Sequence, residues 1–397
     1  MIIAFAALLV VHGLIHVLGA AKAFGWAALP QLTQPISPVL GVLWLLSMAI
    51  FMAAAAALFF WPRGWWMIGA AAVAISMIAI ASSWTDAKAG ALANGVVVVG
   101  VVFGFLSQGP FSLRAAYERD LETYLAGPAS PAAVTDDDLA HLPSVVQRYL
   151  RAAGVVGQAR VRNFRVRLRG RIRNGAAGRW MPFESEQYNV VRPPARMFYL
   201  RSSMFAIPIQ GYHRYVGSSA SMRVNAAAIV PVATAAGAEM TQSETVTLFN
   251  DMCLMAPATL IDPAIEWTPI DADMVRARFT NAGHTIGADL SFNAAGELTD
   301  FASDDRYQAS TAGTGMRRFR WSTPITAYRR YGAVRLPAGG EGRWHDPDGV
   351  YAYIELAIDD VQYNVGVHSS VRTAAANEPE SSRSSDRFAP PATSDRR

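Results

Sequence analysis

The stretch FRVRLRGRIR, residues 164–173, alternates Phe164, Val166, Leu168 and Ile172 with Arg165, Arg167, Arg169, Arg171 and Arg173. Successive side chains of a β-strand point to opposite faces, so a period of two buries one face and wets the other; a helix would scatter these arginines around its circumference. Five like charges in a row repel and need partners. Carboxylates such as Glu184 and Glu186 on an adjoining strand could supply them. So could phosphates, in which case Arg165, Arg167, Arg169 and Arg171 are candidate contacts for lipid headgroups.

The same period continues downstream. Further strands are expected near 180–191, 196–206, 210–217, 220–226, 273–281, 284–293, 297–304, 306–311, 316–322, 326–330, 333–337 and 350–365, with turn chemistry at Asn281-Ala-Gly, Asn293-Ala-Ala-Gly and Asp346-Pro-Asp-Gly. Short connections imply antiparallel neighbours. One helix interrupts them, over 242–256. It opens on a Thr241…Glu244 capping box, presents Val246, Leu248, Phe249, Met252, Cys253 and Met255, and stops before Pro257. An apolar helix inside a meander of strands packs most simply into the concave face of a curled sheet. Val246, Phe249, Met252 and Met255 are then candidates to line a hydrophobic ligand cavity; plain core filling is the competing reading of the same residues.

Upstream, SLRAAYERDLETYLAGP places Leu113, Tyr117, Leu121, Tyr124 and Leu125 at helical spacing before a Gly-Pro stop at Gly127 and Pro128, and TDDDLAHLPSVVQRYLRAAG resumes as a second helix from Pro143 to Ala153. Before them the composition changes. Within residues 1–107 the only Lys, Arg, Asp or Glu are Lys22, Arg63, Asp86 and Lys88. Crossing a hydrocarbon layer of about 30 Å takes about 20 apolar helical residues. Ile2–Ala21, Pro38–Trp61, Gly64–Ser83 and Ala89–Leu106 each suffice, and Trp26, Trp61, Trp65, Trp66 and Trp84 lie at their ends, as interfacial rings do. Four crossings put both termini on one side. Arg63, Arg114 and Arg119 on that side against Lys22 and Lys88 on the other place the termini and the β domain in the cytoplasm.

His12 and His16, four apart on one face of the first span, stand about 15 Å and about 21 Å along it. With Asp86, Lys88 and Asn94 they are expected to form a polar cluster within the membrane or at its far surface. Such a cluster could hold a metal or haem iron, pass protons, or tie the bundle together through hydrogen bonds; a bare HxxxH leaves a tetrahedral metal site half filled.

The spans with HGLIH, LTQPIS and WTDAKAGALAN, then HLPSVVQRYLRAAGVVG, then FRWSTPITAYRRYGAVRLPAGGEGRWHDPDG resemble a bacterial family of four-span membrane proteins with a C-terminal β-rich domain, a family with no assigned activity. In layout the β part is similar to the lipoprotein-carrier half-barrels, whose incomplete barrel wraps a helix and shelters acyl chains. That resemblance implies binding of a lipid or other hydrophobic ligand.

Signatures of common enzymes are missing: there is no G-x-S-x-G, P-loop, H-E-x-x-H or C-x-x-C. No cofactor is expected, and the reading leans away from catalysis. Lone Cys253 forms no internal disulfide. The pI near 9.3 favours anionic partners, and for a tethered domain these are lipid headgroups rather than nucleic acid. The expected architecture is a membrane α-helical bundle of four transmembrane helices over 1–109, a helical stalk over 110–157, an α+β soluble domain over 158–368 built as an antiparallel curled sheet or half-barrel wrapping one helix, and a disordered tail over 369–397. The expected functions are lipid or hydrophobic-ligand binding, a membrane-embedded redox, metal or transport module, or a scaffold for a partner protein.

Overall fold

The arginine-rich strand lies mid-way across one continuous antiparallel sheet. The computed structural model describes residues 2–125, 131–205, 207–309 and 315–366. Its helices are α1 (Ile2–Ala23), α2 (Pro38–Phe60), α3 (Trp65–Ser82), α4 (Trp84–Ala87), α5 (Ala89–Gln108), α6 (Leu113–Tyr124), α7 (Ser144–Ala153) and α8 (Ala238–Met255). The strands are β1 (Asn163–Ile172), β2 (Met181–Val190), β3 (Ala195–Met204), β4 (Ile207–Val216), β5 (Ser219–Ala226), β6 (Val230–Ala236), β7 (Glu266–Pro269), β8 (Met274–Asn281), β9 (His284–Phe292), β10 (Leu298–Ala309), β11 (Met316–Ser322), β12 (Ile325–Tyr331), β13 (Val334–Asp346) and β14 (Gly349–Tyr363). The expected tail over 369–397 and the Gly127–Pro128 stop lie outside the described residues.

Across the sheet the order is β6-β5-β4-β3-β2-β1-β14-β13-β11-β10-β9-β8-β7, with β12 paired to β13 off that path. Every pairing is antiparallel, and the last strand returns beside the first, Phe164 opposite Tyr363. Bulges at Arg167/Leu168, Ser303/Arg306 and Gly342/Arg343 add local bend and twist. The result is a trough. Asn281 of β8 donates to the Tyr215 hydroxyl of β4 at 2.6 Å, although eight strands separate β4 from β8 in the sheet order. α8 lies inside, touching β5 and β6 on one flank and β8, β9 and β10 on the other. This is a curled half-barrel wrapped around one helix.

The sequence signals explain most boundaries, and the exceptions have local causes. The separate strands expected at 297–304 and 306–311 are one strand, β10, whose bulge against β11 at Ser303/Arg306 falls on the Asp304-Asp305 pair that looked like a break. β13 continues past Pro337, where the expected strand ended, through Gly339, Gly340 and Gly342. A Cβ on Gly340 would come within 3.0 Å of the Pro324 carbonyl oxygen, so glycine there permits close strand approach. Two strands escaped the sequence signals: β6, rich in alanine, and β7, four residues long and ending in proline. α8 starts at Ala238 rather than 242, and the capping box does not form. The Thr241 hydroxyl donates to the Gly237 carbonyl and accepts from the Ala220 N–H, while Glu244 turns to Arg196.

Four helices are long and apolar enough to cross a membrane: α1, α2, α3 and the run that starts at Ala89. They pack through Leu9, Phe51, Ala54, Ala72 and Val97, while Ile3, Leu14, Ile15, Val39 and Val99 face outward, exposed. α6 then leaves this bundle, with the Ser112 hydroxyl capping its start at Ala115 N, and lays Leu113, Tyr117 and Leu121 against the convex side of β2, β3 and β4. α7 closes the other side of the trough and ends at Gly154, whose φ of 75° suits a helix stop.

Candidate functional site

Inside the helical bundle the expected polar cluster divides in two. His12 Nε2 lies 2.9 Å from Asn94 Oδ1, Asn94 Nδ2 donates to Ser76 Oγ at 2.9 Å, Ser76 Oγ lies 2.8 Å from His16 Nε2, and His16 Nδ1 lies 2.8 Å from the His12 carbonyl oxygen. One proton arrangement satisfies every link: His12 donates to Asn94, Asn94 to Ser76, the Ser76 hydroxyl to His16, and His16 to the backbone. It requires a neutral imidazole at His16, whose Nε2 accepts. Phe51 and Trp44 of α2 close over them, with ring centroids 4.8 Å from His12 and 5.2 Å from His16, so four helices contribute. Ser76 was missed because a lone serine in an apolar helix resembles filler.

Asp86 and Lys88 stand apart from this network. Asp86 accepts from Gln34 N at 2.8 Å and the Thr33 hydroxyl at 2.7 Å, contacts that hold its carboxyl below the usual range; Lys88 sits at the start of α5. Among the described residues no three His, Cys, Asp or Glu side chains converge to hold a metal ion. A metal at His16 Nε2 would have to displace the Ser76 hydroxyl. Replacing Asn94 with leucine breaks two links of the chain at once. The expected result is a loss of about 1 kcal/mol of bundle stability, read as a lower midpoint when the full chain is unfolded from mild detergent by SDS. An unchanged midpoint would show that the network does not hold the helices together.

The arginine row is neutralised chiefly by β14. Arg169 pairs with Asp359 at 3.0 Å, Arg167 with Asp360 at 3.7 Å, and Arg171 grips Glu355 with Nε and Nη2 at 2.7 and 2.8 Å. Of the two carboxylates expected on β2, Glu186 takes Arg165 at 2.5 Å, and Glu184 faces Arg201 at 3.4 Å. Arg165 is 2% exposed beneath α6 and presents no surface to a headgroup. Arg167, Arg169 and Arg171 stay exposed.

Within the trough, Val246, Phe249, Met252 and Met255 belong to the main buried cluster. Phe249 stacks on Phe279 at 4.9 Å and lies 5.9 Å from Phe301. Cys253 is buried among them, its thiol pushed well above the ordinary range by burial, and its carbonyl accepts from the Tyr149 hydroxyl at 2.6 Å.

The opposite face of α8 is polar, and its spacing alone does not indicate what it meets. Arg196 of β3, fully enclosed, donates from Nε to Asp251 at 2.7 Å, from Nη1 to Glu244 at 2.9 Å and from Nη2 to Gln187 at 3.0 Å. Gln187 and Asn189 of β2 also donate to Asp251, at 2.7 and 3.2 Å. Burial alone would raise the Glu244 carboxyl, but the Arg196 guanidinium and His213 override it and hold it down at about 2.

These contacts also mark where α8 stops. Its partners on β2 to β5 are Gln187, Asn189, Arg196, His213, Tyr215 and Ala220, all toward one end of those strands. Toward the other end, register places Leu168, Ser185, Leu200, Gly211 and Val224 side by side on the concave wall, with Ile172, Ile354 and Leu356 beyond. Leu168, Phe183, Leu200 and Ile209 are buried there, whereas Ile172, Val224, Ile354 and Leu356 are only half-buried. The Ser185 hydroxyl is buried with no hydrogen-bond partner among the described residues.

A family model matches residues 132–356, more than half of the chain, from just before α7 into β14. The chain belongs to DUF6544, a family of unknown function. Nothing among the curated proteins matches it. Among solved structures, this DUF6544 member is similar to a putative outer membrane lipoprotein-sorting protein domain from Vibrio parahaemolyticus, at 8% identity and a TM-score of 0.32 over 57% of this chain and 96% of that one. It is also similar to a DUF1329 family protein from Desulfovibrio piger, at 8% identity and a TM-score of 0.31 over 59% of this chain and 95% of that one.

Proposed function

We propose that this DUF6544 chain is an integral membrane protein whose helices α1, α2, α3 and α5 cross the bilayer, and whose half-barrel binds a lipid or other hydrophobic ligand at the end of the trough that α8 leaves uncovered. The observation that carries the reading is the apolar concave wall beyond Gln187 and His213, where Ile172, Val224, Ile354 and Leu356 keep part of their surface accessible. Burying apolar surface contributes about 25 cal/mol per Å², so an acyl chain laid along this wall gains what the sheet alone does not recover. The space around Phe249 is not part of the site, since that side chain is already enclosed. Arginines at 63, 114 and 119 on one side of the bundle, against lysines at 22 and 88 on the other, support a cytoplasmic half-barrel.

The test is photolabelling of the full chain in nanodiscs that contain a phospholipid with a diazirine in its acyl chain. Labelled peptides are expected from β5 around Val224 and from β14 around Ile354 and Leu356, besides those of the four helices. Gly211 lies on the concave wall, where the nearest atoms to an added Cβ are those of Val224 and Leu200 at 3.6 and 3.7 Å, so Gly211→Trp should fill the trough and remove the β5 and β14 labels. Label confined to α1, α2, α3 and α5 in the wild-type chain would end the ligand reading.

A further inference from the structure

Four strand connections meet at the open end of the trough, and they carry apolar and aromatic side chains outward. At the β3–β4 turn Phe205 is 74% exposed and Met204 and Ile207 are exposed beside it; at the β5–β6 turn Ile229 is 55% exposed, with Val230 and Val232. The two turns are neighbours, because Ala227 N donates to the Pro208 carbonyl at 2.9 Å and Ile209 pairs with Ala226. The β1–β2 connection joins them. Arg179 lies 4.9 Å over the Phe205 ring, and Trp180 is held between Arg171 and Arg173 at 4.7 and 4.5 Å. The β13–β14 turn completes the edge with exposed Val350, and Arg173 N donates to the Tyr353 carbonyl at 2.8 Å.

Elsewhere on the described part of the half-barrel a large exposed apolar side chain occurs singly, at Ile270, whereas here they adjoin. The charge on the β1–β2 connection is positive, while Asp346 and Asp348 stand in the β13–β14 turn. Arg173 gives its donors to the carbonyls of Ala352 and Ala176, and Arg179 stacks on Phe205, so neither is neutralised by a carboxylate among the described residues. Apolar tips, a tryptophan clasped by arginines and unneutralised positive charge are the composition that settles at an anionic lipid–water interface.

The path of α6 says which bilayer is within reach. Arg114, near its start, lies over Tyr199 and approaches Glu186, while Asp120 accepts both from Tyr212 in that same row and from Arg214, two register positions further from the tips. The start of α6, which follows α5, therefore lies nearer the tips than its end. Within α6, Glu118 bonds Arg63 of the α2–α3 loop at 2.6 Å, which ties the β domain to the same end of the bundle.

We propose that the tips of the β1–β2, β3–β4 and β5–β6 hairpins insert into the headgroup region of the bilayer that holds the four helices, so that the mouth of the trough opens onto lipid. The inference rests on the membrane placement proposed above. It does not depend on the trough holding a ligand.

The experiment labels Ile229→Cys with the environment-sensitive dye NBD on the full chain in nanodiscs of phosphatidylglycerol and phosphatidylcholine, some doped with doxyl-labelled lipid. Ala295→Cys, exposed in the β9–β10 turn beside α7, is the control; Cys253 is buried and stays unlabelled. Entry of the chain into discs, read by its co-elution with lipid, reports the membrane placement separately. The expected result is a blue-shifted, lipid-quenched dye at residue 229 and a water-like, unquenched dye at residue 295. Arg179→Glu should reduce the quenching at 229 more in phosphatidylglycerol discs than in discs of phosphatidylcholine alone. Three outcomes overturn the proposal: no quenching at 229, equal quenching at both positions, or quenching at 229 only after separate vesicles are added. Failure of the chain to enter discs overturns both this inference and the membrane reading beneath it.

Discussion

Replacing Arg196 with methionine is expected to destabilise the half-barrel by about 3–5 kcal/mol, because it strands Glu244 and Asp251 as buried carboxylates with no counter-charge. Both acids touch the same guanidinium, and among the described residues neither has another charged partner closer than 3.5 Å; His213 approaches Glu244 at 3.6 Å. The measurement is urea unfolding of the full chain in detergent, followed by proteolysis of the β domain. A triple variant, Arg196→Met with Glu244→Gln and Asp251→Asn, removes all three charges and should recover much of the loss, since neutral groups of similar shape no longer need compensation. If the single variant unfolds at the wild-type concentration, water reaches these carboxylates and the network is not enclosed.

The same residues set an acid limit. Glu244 has a folded value of about 2 against an ordinary 4.5, a depressed value, so its contribution is complete above about pH 4.5 and is lost as pH falls toward 2. A shift of that size corresponds to about 3 kcal/mol. Arg196→Met removes the largest of the contacts that depress it and leaves His213, so its stability should fall less over that window than that of the wild-type chain. Parallel acid unfolding curves for the two would contradict the assignment of the low Glu244 value to Arg196.

What could be read from sequence followed from periodicity. Alternation in residues 164–173 identified a half-buried strand, and Thr241 to Met255 announced a helix within a meander; together they require a curled sheet, and the sheet is curled. Apolar runs likewise gave the four long helices to within a few residues. The partners of polar side chains were another matter, because they depend on contacts distant in sequence. Nothing in the β1 row says that Asp359, Asp360 and Glu355, nearly two hundred residues later, answer its arginines. The Thr241…Glu244 spacing fits a capping box, yet a buried guanidinium outcompetes a backbone N–H for that carboxylate, since a charge-assisted bond is stronger. Asn94 was expected beside the histidines, but Ser76 looks incidental, and only the packing of the helices brings it to His16. The apolar tips were hidden for a related reason: an exposed Phe205 reads as an ordinary strand residue, and Ile229 falls outside every expected strand, until the register shows that both stand at turns on one edge.

Phe249→Ala separates the two meanings that its neighbourhood can have. The side chain is fully enclosed, stacked on Phe279 and flanked by Phe301 and Trp267 at 5.9 and 6.3 Å. Removing such a ring from a close-packed interior costs about 3–5 kcal/mol, the transfer term plus the cavity left behind. A residue that merely lines a ligand cavity has empty space on one side, so its loss costs less stability and more ligand. The expected outcome is therefore a lowered urea midpoint in the full chain, with acyl photolabelling of the β5 and β14 peptides unchanged under native conditions. That pair of results would place the structural core at the Phe249 end of the trough and ligand exchange at the end facing the hairpin tips. The reverse pair, a midpoint near wild type with the β5 and β14 labels lost, would move the ligand to α8 and require the helix itself to shift when the trough fills.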